Sequence, residues 1–303
     1  MKLIHHLIAL ALTAPVVLPL YWVLLKQVFN AWLDDDVPSM GAALAYYTLF
    51  SLAPLLLIVI SVAGLVFGQE AARGEIALQL RALMGEPGAN AVQALLASVG
   101  KPAEGSWATL LGMLLLLIGA TTVFGELQRA LDRIWRVPAT APLSGWLHLL
   151  RARLLSFGMI LVIGFLLMVS LVLSAALATM ERLWSPLFGG WIAIASASNA
   201  AAGFALVTAM FALIYKVMPR ARVQWRDVWT GALFTALLFS LGKALIGIYI
   251  GHSGIVSGFG AAGSLVVVLL WVYYSAQIFL IGAEFTWVYA NLFGSRKPLK
   301  PEI

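Results

Sequence analysis

Three charged side chains interrupt stretches that are otherwise apolar: Lys243 in Leu241-Gly242-Lys243-Ala244, Glu284 in Gly282-Ala283-Glu284-Phe285, and Glu126. A charge at the centre of a bilayer costs about 2.5–3.5 kcal/mol or more, so such groups face a cavity, a partner or the interface. Lys243 either snorkels outward along its own methylenes or presents a cation to an anionic substrate inside a cavity. By helix rise it lies roughly 13 Å further outward than Glu284, beyond direct contact. Glu284 and Glu126 lie at similar depth. Their expected role is pairing with Arg129, Arg133 or Arg226 at one rim, with proton relay as the functional alternative. Tyr47, Tyr274 and Gln277, with Tyr46, Trp271 and Tyr273, are of a type to line a polar cavity, against an aromatic belt or ordinary packing. Pro54, inside an apolar run, is a candidate hinge because it removes a helical hydrogen bond.

Soluble-enzyme chemistry is absent from the sequence. There are no cysteines, so thiolate metal sites, cysteine nucleophiles and disulfides are excluded. The four histidines, His5, His6, His148 and His252, give no metal-ligand pair on a helix. Ser253 sits in no Gly-x-Ser-x-Gly elbow. No aspartate lies deep in an apolar run, which removes an intramembrane aspartyl protease, and there is no P-loop. Gly258-Phe259-Gly260-Ala261-Ala262-Gly263 matches the dinucleotide fingerprint formally, but it precedes a membrane helix and lacks the βαβ unit. The expectation is no enzyme, no metal and no cofactor.

The elements that position these residues are six apolar runs beginning near Gly41, Trp107, Leu154, Trp191, Val228 and Ser264. Each reaches roughly 20 residues, enough to cross about 30 Å of hydrocarbon as a helix. Apolar residues make up 62% of the chain and charged residues 11%, against about 25% charged in soluble proteins. The predicted fold is therefore an all-α membrane protein: a six-transmembrane-helix bundle with an N-terminal hydrophobic or interfacial helix and a short periplasmic helical hairpin. Residues 1–33 form the N-terminal segment, 34–294 the membrane domain with 68–106 as its periplasmic insertion, and 295–303 a basic tail.

Net charge is +6, and its distribution argues for topology rather than nucleic acid. Arg129, Arg133, Arg136, Arg151 and Arg153 fall in one loop, Lys216, Arg220, Arg222 and Arg226 in a second, and Arg296, Lys297 and Lys300 in the tail. Alternating spans bring all three groups to one side, which the positive-inside rule makes cytoplasmic, with both termini. Contacts to anionic headgroups are a further use for them. Met1-Lys2 and the run Leu7 to Leu12 imitate a signal peptide, but Leu12 fits a cut after Ala14 poorly and Pro15 would follow it. The alternatives are a seventh span and, as preferred here, a helix on the cytoplasmic interface with Trp22, Lys26 and Trp32 at headgroup level. Asp34, Asp35 and Asp36 are expected to cap the first core span rather than bind a divalent metal. In the insertion, Ile76, Leu80, Leu83 and Met84, then Val92, Leu95, Leu96 and Val99, read as two short amphipathic helices split by Gly85-Glu86-Pro87-Gly88.

Several stretches together carry a family resemblance. Ala43-Leu44-Ala45-Tyr46-Tyr47-Thr48-Leu49-Phe50-Ser51-Leu52-Ala53-Pro54-Leu55 resembles the opening motif of the YihY/BrkB membrane proteins. Leu131-Asp132-Arg133-Ile134-Trp135, Tyr215 to Val228, Gly242-Lys243, Trp271-Val272-Tyr273-Tyr274 and Gly282-Ala283-Glu284 resemble later blocks in the same order. The resemblance implies a six-span bacterial inner-membrane protein with cytoplasmic ends and an envelope role. It also brings an old ribonuclease BN label, which this sequence argues against, because the His-x-His-x-Asp-His zinc cluster is missing. The functional expectation is a transporter or translocator of an amphipathic or anionic compound, driven by a gradient or passive. The alternative is a non-transporting scaffold that binds membrane lipids or envelope partners.

Overall fold

The computed structural model describes residues 22–99, 122–138, 191–252 and 262–296, and in these the chain is helical. We label the helices α1 (22–34), α2 (Val37–Phe67), α3 (Gln69–Val99), α4 (122–134), α5 (Trp191–Val217), α6 (Trp225–His252) and α7 (Gly263–Leu292). Among the described residues, three segments are long and apolar enough to cross a membrane: Ala200–Val217, Trp225–Ile250 and Gly263–Leu292. The third predicted run, most of the second, the loop carrying the glycine fingerprint, residues 1–21 and the end of the tail lie outside the described residues.

Helix α7 is the centre of the bundle, touching α2, α3 and α6, while α5 packs on α6. The reason is small residues at matched positions. Gly231 and Thr235 on α6 meet Gly282 and Thr286 on α7 as two antiparallel Gly-x-x-x-Thr steps. A Cβ at Gly231 would collide with Thr286 Oγ1, and one at Gly282 with Thr235 Oγ1. Each threonine hydroxyl donates to the glycine carbonyl of its own helix, at 2.7 Å in both cases, so no polar atom is stranded at the contact. Further along, Gly242 admits Ile278 and Tyr274. In lipid such close fit replaces the hydrophobic force that packs helices in water. Tyr215 from α5 completes the core: its hydroxyl donates to the Phe279 carbonyl at 2.7 Å and lies 2.9 Å from Thr235 Oγ1.

Helix α1 packs on the bundle, and helix α3 departs from the sequence reading. Leu24, Val28 and Ala31 of α1 pack on Phe285 and Val288 of α7, while Trp22, Leu25, Phe29 and Leu33 are exposed. Asp36 then adopts a left-handed conformation (φ 55°) between α1 and α2 and makes no side-chain capping bond, so the expected acidic cap is not formed. Its two neighbours in the chain, Asp35 and Val37, are buried. The expected hairpin is one 31-residue helix, α3, running through Gly85, Pro87 and Gly88. Leu80, Ala89, Ala91 and Val92 join Ile246, Ile250, Val267 and Val268 in one cluster. Packing on both sides of the breakers outweighs their local cost, about 1 kcal/mol for a glycine and 3 for a proline.

Gly231→Val should lower the melting temperature in detergent sharply, by the equivalent of about 3 kcal/mol of overpacking. Gly74→Ala on α3, where the new methyl would meet open space, should be neutral or slightly stabilising. Equal melting temperatures for the two variants would mean that α6 and α7 do not meet at Gly231.

Candidate functional site

The end of the bundle where α1, α4 and α7 meet is built by two non-glycine residues in left-handed backbone, Asp36 and Arg136. Helix α4 ends with the bond pair of a Schellman turn: Arg136 N–H donates to the Arg133 carbonyl at 3.0 Å and Val137 N–H to the Asp132 carbonyl at 2.9 Å. Arg136 occupies the position that glycine usually takes there, at a cost of about 1–2 kcal/mol. The turn throws its guanidinium across to α1, where Nη2 lies 3.1 Å from Asp35 Oδ2 and the group stacks 5.0 Å above the Trp287 ring. Arg296, just beyond α7, stacks 4.8 Å over Trp135.

Beneath this lid lies Glu284. Its side chain is inaccessible (0% exposed), and among the described residues neither carboxylate oxygen has a hydrogen-bond partner. Its electrostatic surroundings are led by Asp35, with Arg136 opposing and Asp34 more remote. Asp35 is itself 5% exposed. Two buried carboxyl groups, one on α7 and one in the turn between α1 and α2, therefore face one another under a single guanidinium that is half exposed. A buried charge normally has an ionic partner, whereas the neighbour of Glu284 is a second carboxyl and the nearby guanidinium of Arg136 is paired with Asp35. The chemistry open to such a pair of carboxyl groups is the gain or loss of a proton.

The remaining predicted residues are spread out. Glu126 pairs with Arg129 at 2.6 Å, as expected for the rim. Among the described residues Glu284 forms no ion pair with Arg129, Arg133 or Arg226, and Arg136, which acts on it, is paired with Asp35. Gln277 is a bridge: Trp32 Nε1 donates to its Oε1 at 3.2 Å, and its Nε2 points to the Val37 carbonyl at 3.5 Å, tying α1, α2 and α7 together. Tyr274 is half-buried against Gly242, and Tyr47 is exposed beside Tyr46. Lys243 is exposed on α6. Pro54 falls inside the continuous helix α2, and its side chain is outside the described set. Asp35 and Arg136 were missed as site residues; the available signal was that Asp35 sits one residue from the break between α1 and α2. At the neighbouring corner, burial lifts the Asp132 carboxyl above the usual carboxylate range, against the pull of Arg220.

Comparison with known proteins places the chain. The family model for Virulence factor BrkB matches residues 28–302, nearly the full length. The chain belongs to the BrkB family. Relatives include a UPF0761 membrane protein of Pseudomonas paraeruginosa, 30% identical over 88% of this chain and 62% of the relative. Another, from Tolumonas auensis, is 29% identical over 88% of this chain and 87% of its own length. A third, from Alcanivorax borkumensis, is 31% identical over 87% of this chain and 59% of the relative. The chain thus spans about three-fifths of the Pseudomonas relative's length. No solved structure matches it. Membership confirms the resemblance noted from the motifs and makes this a membrane protein, as its apolar helices require.

Arg136→Gln should destabilise this BrkB-family protein by roughly 2 kcal/mol, because Asp35 and Glu284 then face each other uncompensated. Adding Glu284→Gln should restore most of that loss. A thermal-unfolding double-mutant cycle reads the coupling, and strictly additive effects would show that the two side chains do not share a site.

Proposed function

We propose that this protein is a transporter or translocator of an amphipathic or anionic compound across the bacterial inner membrane, with Glu284 as its ion-coupling group. The observation that carries the reading is the carboxyl of Glu284, buried in a membrane-spanning helix against a second carboxyl, that of Asp35, with no cation of its own. A structural acid would have been given a cation, and Arg136 is instead engaged by Asp35. Ionisable residues retained at such cost inside membranes mark ion and proton pathways. The acid lies at the end of the bundle where Arg129, Arg136, Arg220 and Arg296 also gather, so the positive-inside rule makes that end cytoplasmic, together with both termini. The same basic surroundings favour an anionic cargo, and without a P-loop the energy comes from a gradient.

A scaffold that binds lipid or envelope partners without moving them is the second reading. It draws on the tight α6–α7 contact and on Lys243, which lies exposed on α6.

Proteoliposomes carrying a fluorescent lysophosphatidylglycerol under an imposed pH gradient separate the two. Wild type should move the probe at least about tenfold faster than empty vesicles, and Glu284→Gln should fall to the background rate with an unchanged or higher melting temperature. Background rates for wild type with this probe and a panel of other anionic amphiphiles would favour the scaffold.

A further inference from the structure

Four cations lie in or beside the turn between α5 and α6: Lys216 at the end of α5, Arg220 and Arg222 in the turn, and Arg226 at the start of α6. Arg220 is consumed internally: its backbone N–H donates to Asp132 Oδ1 at 2.7 Å, and its Nε lies 3.4 Å from Asp132 Oδ2. Lys216, Arg222 and Arg226 have no carboxylate within ion-pair distance among the described residues. The adjacent acid, Asp227, is fully buried and accepts the Ser295 backbone N–H and hydroxyl instead. These three cations, with Gln224 and Trp225, line an open hollow of about 720 Å³.

The hollow is held in shape by its own walls. Lys216 Nζ donates to the Val223 carbonyl and sits 5.5 Å above the Trp225 ring, and Gln128 donates to the Met218 carbonyl at 3.1 Å. Val223 and Met218 are anchored in the core. Cations that only mark topology need no shared hollow, and three like charges facing one space repel until an anion enters it.

A second observation gives the anion a tail. From the mouth of the hollow a line of exposed apolar residues winds along α6 at every fourth residue, turning about 40° per step: Trp225, Trp229, Leu233, Leu237, Leu241 and Leu245. From Trp229 to Leu241 it covers about 18 Å, a little more than one leaflet of hydrocarbon. Exposed tryptophans at its head suit the depth of the lipid headgroups. A phosphate at the interface joined to a flexible hydrocarbon chain that follows this line is the outline of a phospholipid.

We propose that the hollow formed by Lys216, Arg222 and Arg226 binds the phosphate of an anionic membrane lipid, with an acyl chain lying along the Trp229–Leu241 stripe of α6. The site is independent of Glu284 and of whether the protein transports. The lipid is held as a partner, and its headgroup chemistry, a phosphodiester without a compensating ammonium, is what the three cations select.

Native mass spectrometry of the full chain in mild detergent, with equal amounts of phosphatidylglycerol and phosphatidylcholine, tests this. Wild type should retain the anionic lipid about tenfold over the zwitterionic one. The R222Q/R226Q double variant should lose that preference, both side chains being exposed and outside the packing, while Arg129→Gln on the same rim should keep it. An undiminished preference in R222Q/R226Q, or an equal loss in Arg129→Gln, overturns the assignment. Inorganic phosphate binding as tightly as the lipid would also overturn it, by making a free anion the ligand.

Discussion

Two spans in a bilayer are surrounded by a solvent as apolar as themselves, so only fit and satisfied polar groups hold them together. Here that fit is the reciprocal meeting of Gly231 with Thr286 and of Gly282 with Thr235. Each glycine supplies both the space for the opposing threonine and the carbonyl that its own helix's threonine needs. Everything else is placed relative to this contact. Tyr215 can reach the Phe279 carbonyl because α6 and α7 are close. Glu284, between Gly282 and Thr286, is carried to a level where α1 and α4 close over it.

That closure explains why an acid can be buried beside a second carboxyl without a cation of its own. The break at Asp36 turns Asp35 inward, and the Schellman turn after α4 sends Arg136 over it. Both turns are strained at non-glycine positions, and strain of this kind persists where surrounding packing over-determines it. Leu131, Ile134 and Trp135, all buried in the main cluster, provide that packing for α4. The basic hollow on the neighbouring turn is fixed in a similar way, through Asp132 and Gln128 of the same helix. Helix α4 thus supports one wall of each charged site.

Much of the architecture was legible because hydrophobic length is a local property. Runs of apolar residues with interrupting charges mark α2, α5, α6 and α7 without reference to any neighbour. Glu284 was legible as a candidate for the same reason, since a charge in such a run is anomalous wherever it packs. Its partner was not. Arg129 and Arg133 lie on α4 and Arg136 in the turn that ends it, and choosing among them needs the left-handed conformation of Arg136. The reading of Asp34 to Asp36 as a cap failed because side-chain type alone does not give the backbone angle at Asp36. The insertion was misread because Gly85, Pro87 and Gly88 are strong local breakers, while the contacts that keep α3 helical come from α6 and α7, about 150 residues or more away in sequence.

By itself, then, the sequence determined a helical membrane protein of the BrkB family, its main spans and the anomalous acid, since composition and periodicity depend only on neighbours along the chain. The tertiary structure alone decided that Glu284 faces Asp35, that Arg136 attends to Asp35 instead of Glu284, and that Lys216, Arg222 and Arg226 share a hollow above an apolar stripe. Those are relations between helices. They follow from backbone turns and close glycine contacts whose energies are a few kcal/mol each, and they are realised only once the bundle has assembled.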